Sequence, residues 1–176
     1  EDGNKITNLR QVIQEQLKKE GKKCVCLRCR EIAHVDISQI SDLTPRLFID
    51  EYATQGGTEY FLSFENKARE VVFAFCRLRI LSSQKGKFGT SEVTFPFSAY
   101  IRELHTYGQL VKIGKQETGS SQHTGLGKKL VQEAEKIVKK QKIKKLAVIS
   151  GIGVRDYYRH LGYKLENTYM VKKLER

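Results

Sequence analysis

The chain has 176 residues, enough for one globular domain with an appendage, and its 32 lysines and arginines outnumber 20 acidic residues to give a net charge of +12. This excess is larger than an enzyme of small metabolites needs, so it favours a polyanionic partner. No segment of the sequence is apolar over the length that crosses a bilayer, which argues against a membrane protein.

The first predicted element is a helix over residues 8–19, and a basic stretch with three cysteines follows it. We call Cys24, Cys26 and Cys29 the cysteine cluster. Thiolates this close together in a reducing compartment favour a soft metal over disulfides, and unligated thiols are the alternative. A tetrahedral site needs a fourth ligand, for which His34 is the nearest candidate in the sequence. The alternatives are a surface role for His34, a water ligand, or a ligand from another part of the protein.

Short apolar runs and turns make up the middle of the chain. In chain order they predict a strand at 43–53, a turn at 55–59, an antiparallel strand pair at 61–65 and 71–79, a polar loop at 82–90 and a strand pair at 100–113. Cys76 falls within the strand at 71–79, where we expect it to act as a small apolar core group.

The most informative motif is QHTGLG at residues 122–127, a glycine turn directly before a predicted amphipathic helix. The apolar residues of this helix recur with a period of about 3.6 and are Leu126, Leu130, Val131, Ala134, Ile137 and Val138. The first N–H groups of a helix lack intrahelical partners and its dipole is positive there, so the turn can bind an anion such as pyrophosphate. Gly125 and Gly127 allow the anion to approach the backbone. The alternative is a loop that only begins a surface helix.

The last part of the chain continues with strand, helix and strand signals. Residues 146–151 predict a buried strand, residues 154–161 a short helix that ends at Gly162, and residues 163–172 a final strand. This order, together with the pattern Gln/Arg-x-x-Gly-x-Gly/Ala that QHTGLG fits, resembles the GNAT acetyltransferases. The resemblance implies an α/β fold with a mixed, mostly antiparallel sheet and flanking helices over residues 41–176, preceded by a cysteine-rich linker over residues 1–40.

Longer segments resemble one particular family. These segments are CRE at 29–31, FLSFE at 61–65, RLR at 77–79, RELHTYG at 102–108, QHTGLG at 122–127, AVISGIGVRDYY at 147–158 and YMVK at 169–172. Through them nearly the whole chain is similar to the catalytic subunit of Elongator, the tRNA uridine acetyltransferase family. In that family a radical S-adenosylmethionine domain with a 4Fe-4S cluster precedes the acetyltransferase domain, and together they make the carboxymethyl group at C5 of the wobble uridine.

The resemblance also implies that this chain is a fragment. A radical S-adenosylmethionine domain would need roughly two hundred further residues, and the cysteines here lack the spacing of its three-cysteine loop. The chain starts at Glu1 with no apolar leader, so we expect a piece of a longer, soluble, cytoplasmic protein whose S-adenosylmethionine and iron–sulfur cluster bind outside this chain. Bacterial and archaeal members of the family hold zinc at such cysteines, which implies zinc at the cysteine cluster.

For the cofactor, acetyl-coenzyme A, the resemblance implies two sets of contacts. The backbone of one strand would bind the acetyl and pantetheine part, and the glycine turn the pyrophosphate; the residues are Glu103, Leu104, His105 and Thr106 for the first set and Gln122, Gly125, Leu126, Gly127 and Lys128 for the second. Tyr158, with Tyr157 beside it, resembles the family's tyrosine at the thioester, where its hydroxyl would protonate or hydrogen-bond the thiolate. Core packing is the alternative for either tyrosine. Because adjacent helix residues point about 100° apart, we expect only one of them to face the sulfur.

Three functions compete. The first is the acetyl-coenzyme A module of a tRNA wobble-uridine modifying enzyme, acting with other Elongator subunits where these exist; the motifs and the charge favour it. The second is a protein lysine (histone-type) N-acetyltransferase, for which Glu103 and His105 are possible bases on one strand face. The third is a binding module with a vestigial glycine turn, which the intact QHTGLG run and the tyrosine pair oppose.

Two basic clusters are candidate contacts with the tRNA backbone. The first surrounds the cysteine cluster and consists of Lys18, Lys19, Lys22, Lys23, Arg28 and Arg30, and the second consists of the lysines between positions 128 and 145. Lysines that neutralise phosphates release counterions, so such contacts give salt-sensitive binding without sequence specificity. The alternative for both clusters is a solvated surface.

Overall fold

A seven-stranded sheet forms the centre of the protein, and the computed structural model describes residues 5–88, 91–107 and 125–174. The strands are β1 (Arg46–Thr54), β2 (Gly57–Glu65), β3 (Val72–Leu81), β4 (Lys85–Phe88), β5 (Ser91–Thr94), β6 (Ala99–Thr106), β7 (Lys145–Val148), β8 (Lys164–Glu166) and β9 (Tyr169–Lys173). The order across the sheet is β1-β2-β3-β6-β7-β9-β8, and β4 and β5 form a separate hairpin. Strands β6 and β7 run parallel, and the other neighbours in the sheet run antiparallel.

One helix covers one face of the sheet, which we call the helix face. The α-helices of the described residues are α1 (Leu9–Lys19), α2 (Leu27–Arg30), α3 (Leu126–Lys140) and α4 (Arg155–His160). The apolar stripe of α3, which includes Leu130, Val131 and Ala134, is buried against strand residues such as Leu62 and Ile101. Each such aliphatic side chain contributes roughly 1.5–3 kcal/mol when fully buried, so this stripe holds the helix on the sheet.

The opposite face of the sheet, which we call the second face, carries a smaller core. It consists of Phe97, Tyr100, Ala147 and Val171. These residues alternate with helix-face residues, because successive side chains of a strand point to opposite sides. In β6, for example, Ile101 follows Tyr100 and packs in the larger core between α3 and the sheet, which we call the main core. No α-helix of the described residues buries a stripe in this smaller core.

Strands β6 and β7 separate soon after they pair. Their register joins Tyr100 with Ala147 and Ile101 with Val148, and the N–H of Ile149 donates to the carbonyl of Ile101 at 3.0 Å. Beyond that point β6 continues to Thr106 paired with β3 alone among the described strands. The register of β3 and β6 also shifts between Arg77 and Leu78, opposite an extra residue in β6. The sheet therefore opens on one side of β6.

The segment after the cysteine cluster is attached to the sheet. Glu31 forms a bridge with Val72, the N–H of Ile32 donates to the carbonyl of Val72 at 3.2 Å, and Ile32 is buried in the main core. Arg30 forms an ion pair with Glu65, whose side chain has no exposed surface. A buried carboxylate needs such partners, because its desolvation is otherwise costly. Residues 30–32 thus pack with the strands that follow them.

Most predicted elements are confirmed. A mixed, mostly antiparallel sheet with flanking helices follows the cysteine cluster, α1 begins after Asn8, and the strand pair at 61–65 and 71–79 is antiparallel. Cys76 is fully buried, and this burial raises the pKa of its thiol to about 12. Gly162, at a φ of 87°, follows α4 in the left-handed region that favours glycine. No helix of the described residues has both the length and the apolar character that a bilayer crossing requires.

Some predicted boundaries and connections are wrong. The polar loop at 82–90 contains β4, which pairs with β5, and the final strand at 163–172 is the hairpin of β8 and β9, turned at Asn167 with a φ of 56°. The turn at 55–59 is shorter because β2 begins at Gly57, and the strand at 146–151 ends at Val148. Of the strand pair at 100–113, β6 ends at Thr106, and residues 108–113 lie outside the described part.

Candidate active site

A cavity of about 430 Å³ opens where β6 loses its neighbour, and we call it the glycine-turn cavity. Three parts of the chain meet there: the free end of β6, the start of α3 and the region of α4. The lining residues are Leu104, Thr106, Gly125, Leu126, Gly127, Lys128, Val154, Tyr157 and Tyr158. Eight of these nine were predicted as site residues from the sequence, and Val154 was not. Gln122 lies outside the described residues.

The start of α3 presents free backbone donors to this cavity. Gly125 precedes the helix with a φ of 89°, in the left-handed region, and its carbonyl accepts the N–H of Lys129 at 3.0 Å. The N–H groups of Leu126, Gly127 and Lys128 come before that first helical hydrogen bond, so they have no intrahelical acceptor. A Cβ placed on Gly125 would meet no atom of the described residues within 4 Å. The turn therefore leaves open space beside several donors and the positive end of the helix dipole.

Position 127 needs a glycine because neighbouring side chains pack closely against its backbone, and not because of its backbone angles. A Cβ at this position would lie 2.9 Å from the hydroxyl oxygen of Tyr157 and 3.1 Å from Cγ2 of Thr106. Real Cβ atoms essentially never come that close to a neighbour, so any side chain here would displace the tyrosine or the helix. The glycine thus places the Tyr157 hydroxyl directly over the first turn of α3.

The two adjacent tyrosines differ in environment although both line the cavity. Tyr158 is 5 % exposed and packs in the main core against Tyr163, whereas Tyr157 is 40 % exposed. Their ring centroids lie 5.2 Å apart in an edge-to-face arrangement. Burial raises the pKa of both hydroxyls above the usual value, so both are protonated at neutral pH and can donate a hydrogen bond. Although adjacent side chains of a helix point about 100° apart, both tyrosines line the cavity.

The side chains of Glu103 and His105 lie on the second face, away from the glycine-turn cavity. They share that face, as strand alternation predicts, and His105 Nε2 is 3.5 Å from Glu103 Oε1. Arg77 Nη1 lies 3.6 Å from Glu103 Oε2, and the His105 ring stacks on Phe75 at 5.3 Å. The backbone of this strand segment faces the opening beside β6, but its two titratable side chains do not reach the cavity.

The thiol groups of the cysteine cluster come together in space. The Sγ atoms of Cys24, Cys26 and Cys29 all lie within 4.8 Å of one another. The backbone N–H of Cys29 is the main cause that lowers the pKa of Cys26 to about 6, whereas burial raises the pKa of Cys29. Three thiols at this separation fit a soft divalent ion such as zinc.

His34, the sequence-based candidate for the fourth metal ligand, is not part of that group in the described residues. Its Nε2 instead lies 3.8 Å from Glu31 Oε2. Closeness in sequence does not predict the ligand here, because α2 ends at Arg30 and the next residue, Glu31, forms a bridge with β3 before the chain reaches His34.

Lysines line a larger cavity at the other end of α3. This lysine cavity has a volume of about 870 Å³ and is lined by Ile143, Leu174 and the lysines Lys139, Lys140, Lys142, Lys144, Lys145 and Lys173. Lys145 pairs with Glu166 at 2.8 Å, and the other five lysines have no acidic partner in the described part of the chain. Five of the six belong to the second basic cluster, and Lys173 adds a position that lies far away in sequence.

Arg30 is a correction to the first basic cluster. Besides its ion pair with Glu65, its Nη1 donates to the carbonyl of Arg69 at 2.9 Å, and its side chain is 19 % exposed. These contacts fix the guanidinium in the protein, so Arg30 is not available to bind phosphate. The lysines of that cluster are exposed, and Lys18, Lys22 and Lys23 line one hollow together with Cys24 and Cys29.

Comparison with known proteins finds relatives that match this chain along nearly its whole length. It is 41 % identical over 99 % of its length to a tRNA uridine(34) acetyltransferase of Methanocaldococcus jannaschii, and 37 % identical over 96 % of its length to Elongator complex protein 3 of Danio rerio. No protein-family model matches the chain. A solved structure of Elp3 from Methanocaldococcus infernus superposes with a TM-score of 0.74 at 38 % identity and covers 98 % of this chain.

The match covers only part of each relative. The chain spans 32 % of the Methanocaldococcus jannaschii protein, 30 % of the Danio rerio protein and 41 % of the solved Elp3 chain. The resemblance noted from the sequence motifs is confirmed by these comparisons. Over nearly its whole length, the chain is a homologue of one segment of the tRNA uridine acetyltransferase and Elongator protein 3 family.

Proposed function

We propose that this chain is the acetyl-coenzyme A-binding part of an acetyltransferase that modifies the wobble uridine of tRNA. The observation that carries the proposal is the glycine-turn cavity, where the free end of β6, the donors at the start of α3 and the tyrosine pair meet. The names of the homologues and the net charge of +12 support a tRNA substrate.

Acetyl-coenzyme A would contact the cavity through two sets of backbone groups. The N–H groups of Leu126, Gly127 and Lys128 would bind the pyrophosphate, and the absence of a side chain at Gly125 leaves room for it. The edge of β6 from Glu103 to Thr106 would bind the extended pantetheine arm as an added strand, because β7 no longer pairs with it there. Gln122 is proposed to shape the same turn.

Acetyl-coenzyme A, when bound, would supply an activated acetyl thioester. Tyr157 and Tyr158 line the cavity and hold protonated hydroxyls, so either could donate a hydrogen bond to the thioester sulfur. Because burial raises the pKa of Tyr158 well above its usual value near 10, this donor stays protonated through the whole range in which enzymes are assayed. Cleavage should therefore show no alkaline loss below about pH 10 that arises from this tyrosine.

The acceptor would be C5 of the wobble uridine, with a carboxymethyl group as the product. A radical S-adenosylmethionine domain with its 4Fe-4S cluster would form part of the full protein outside these 176 residues, and other Elongator subunits would be partners. Such an acceptor is a carbon rather than an amine, so the site needs no dedicated base. The positions of Glu103 and His105 on the second face agree with that, and they disfavour the alternative of a lysine N-acetyltransferase.

Residues 1–40 are proposed to form the linker that holds zinc through Cys24, Cys26 and Cys29, and residues 41–176 the acetyltransferase domain. Metal analysis of the purified chain should find about one zinc per molecule, and Cys24→Ser should lose the metal and lower the melting temperature. Cys76→Ser is the matched control, because it removes a buried thiol in β3 and should leave the zinc content unchanged. The zinc site would be contradicted if the purified wild-type chain contained no metal and chelators did not change its melting temperature.

The cofactor proposal is tested by calorimetric titration with a non-hydrolysable acetyl-coenzyme A analogue. Release of free coenzyme A from acetyl-coenzyme A is then measured with tRNA and with a histone-like peptide. We expect the analogue to bind and tRNA, not the peptide, to stimulate release. Stimulation by the peptide alone would contradict the tRNA proposal, and failure to bind the analogue would contradict the cofactor assignment.

A further inference from the structure

A further hollow of about 360 Å³ lies on the second face of the sheet, and we call it the aromatic cavity. Its walls include the rings of Phe95, Tyr100 and Tyr169, and Arg79 and Arg102 line it as well. The rings of Tyr100 and Tyr169 meet edge to face with centroids 5.7 Å apart. Flat apolar walls and guanidinium groups in one small cavity suit a ligand that carries both a planar ring and negative charge.

The aromatic cavity lies at the point where β6 and β7 separate. Ile149, which forms the last backbone hydrogen bond to β6, lines it, and so does Arg102, one residue beyond Ile101 on β6. Leu104, two residues further along, lines the glycine-turn cavity on the other face. Two residues of a strand span roughly 7 Å, so the two cavities lie on opposite sides of the same short stretch of β6.

Arg102 lies on the second face, as alternation after Ile101 predicts, and the register shift in β6 keeps Glu103 on that face as well. Arg102 is the extra residue between Ile101 and Glu103, and its Nη1 lies 3.2 Å from Glu59 Oε2. Glu59 is 1 % exposed, and Arg77 Nε at 3.2 Å and Arg79 Nη1 at 3.8 Å approach the same carboxylate. Three guanidiniums thus surround one buried carboxylate, and since Arg77 also pairs with Glu103, one positive charge remains in excess. Arg102 carries the most exposed of the three, at 45 % of its side-chain surface.

Phe95 is held at the cavity by the β4–β5 hairpin. Its N–H donates to the carbonyl of Gln84 at 2.7 Å, and Nε2 of Gln84 donates back to the carbonyl of Phe95 at 3.2 Å. A Cβ on Gly86 would lie 3.1 Å from the Phe95 ring, so the ring rests against the glycine of β4. Phe95 remains 38 % exposed, which leaves an ordered apolar surface available to a ligand.

We propose that the aromatic cavity binds one nucleotide of a single-stranded acceptor RNA, with its base against Phe95 and Tyr169 and its phosphate at Arg102. A base can enter such a hollow only when it is unstacked, which favours a single strand over a duplex. A lysine-containing peptide would instead need acidic groups, and none of the residues that line the cavity in the described part of the chain is acidic. The inference rests on the proposed function in taking the opening beside β6 as the reaction centre.

The test is fluorescence anisotropy of a labelled hexauridylate on the 176-residue chain. Phe95→Ala and Arg102→Gln should each weaken binding about tenfold, the scale of one lost stacking or phosphate contact. The matched controls are Tyr52→Ala and Arg46→Gln, which remove an exposed ring and an exposed guanidinium from β1 and should leave binding within about twofold. Arg102→Gln leaves two guanidiniums beside Glu59, and unchanged melting temperatures confirm that all four variants fold.

Three results would overturn the inference. In the first, Phe95→Ala and Arg102→Gln bind hexauridylate as tightly as the controls. In the second, a stable RNA hairpin with a stem of G·C pairs binds as tightly as the single strand, and Phe95→Ala does not change its affinity. In the third, a polyglutamate peptide displaces the RNA and depends on the same residues, which assigns the cavity to an acidic peptide.

Binding of the acetyl-coenzyme A analogue separates this inference from the proposed function. All four variants should bind the analogue as the wild type does, because none of them lines the glycine-turn cavity. A chain that binds the analogue but not hexauridylate refutes the nucleotide site and leaves the cofactor assignment intact. A chain that binds hexauridylate through Phe95 and Arg102 but not the analogue refutes the cofactor assignment and supports the nucleotide site.

Discussion

The two ends of α3 are both suited to anions, but by different physical means. At its start the donors are backbone N–H groups beside Gly125, fixed in direction and reinforced by the helix dipole. At its end the dipole is negative, and the positive charge comes from the long side chains of the lysine cavity. Fixed donors suit one small anion in one orientation, whereas mobile ammonium groups suit a polyanion whose phosphates vary in position.

The comparison predicts its largest effect at the first turn of α3. Gly127→Glu should weaken binding of the acetyl-coenzyme A analogue by more than about a hundredfold, since a carboxylate would face the pyrophosphate and the new Cβ would collide with Tyr157 and Thr106. Gln132→Glu adds the same charge at an exposed position of the same helix and serves as the control. Calorimetry measures the affinity of both variants for the analogue. Tight binding by Gly127→Glu would show that the pyrophosphate does not bind at this turn.

Charge reversal at the lysine cavity should affect RNA instead of the cofactor. Lys144→Glu with Lys173→Glu should weaken tRNA binding about tenfold at low salt and lower the slope of log affinity against log salt by about two. The control pair, Lys67→Glu with Lys164→Glu, makes the same net change at exposed lysines outside that cavity. If both pairs change the salt dependence equally, the lysine cavity is an ordinary solvated surface and the contrast between the two ends of α3 fails.

A smaller effect is expected at the cavity wall. Tyr158→Phe keeps the ring in the core and removes one hydroxyl, so affinity for the analogue should fall by roughly 0.5–1.5 kcal/mol, or about two- to twelvefold. Thioester cleavage stimulated by tRNA should fall further if the lost donor acts on the leaving thiolate, as proposed. Tyr163→Phe is the control, since its hydroxyl donates to Glu135 at 3.0 Å and does not line the glycine-turn cavity. Full cleavage by Tyr158→Phe would assign this residue to packing.

The smallest expected effect is that of salt concentration on the affinity for the acetyl-coenzyme A analogue. Affinity for the analogue should change much less than affinity for tRNA between 50 and 200 mM salt, a range over which several phosphate contacts cost about a thousandfold or more. The same titrations at each concentration measure it. Equal salt dependence for the two ligands would mean that side-chain charge, and not the backbone of the first turn, dominates at both ends.

The sequence predicts the glycine-turn cavity well because its determinants are local. The left-handed Gly125, the apolar period of α3 and the adjacent tyrosines each follow from a few neighbouring residues. The β4–β5 hairpin escapes prediction because its strands carry few apolar residues, so no alternation marks them. For the same reason the sequence does not identify Phe95 as part of a cavity.

Contacts between residues that are distant in sequence are also not predicted. The ion pair of Arg30 with Glu65 joins residues 35 positions apart, and the three guanidiniums around Glu59 come from β3 and β6. Nothing in the local sequence distinguishes Arg30 from the exposed basic residues beside it. Arg102 and Glu103 share one face only because of a register shift that no pattern of the β6 sequence marks.

The attachment of residues 30–32 sets how far the protein can be shortened from its N-terminus. A chain that began at residue 41 would lack Ile32, which is 4 % exposed in the core, and would leave Glu65 with Arg69 as its remaining guanidinium partner. Loss of one buried aliphatic side chain and one partner of a buried carboxylate together costs several kcal/mol, on the order of half the stability of a typical domain. The smallest stable unit is therefore expected to begin no later than Arg30, which lies within residues 1–40, the segment proposed as the linker.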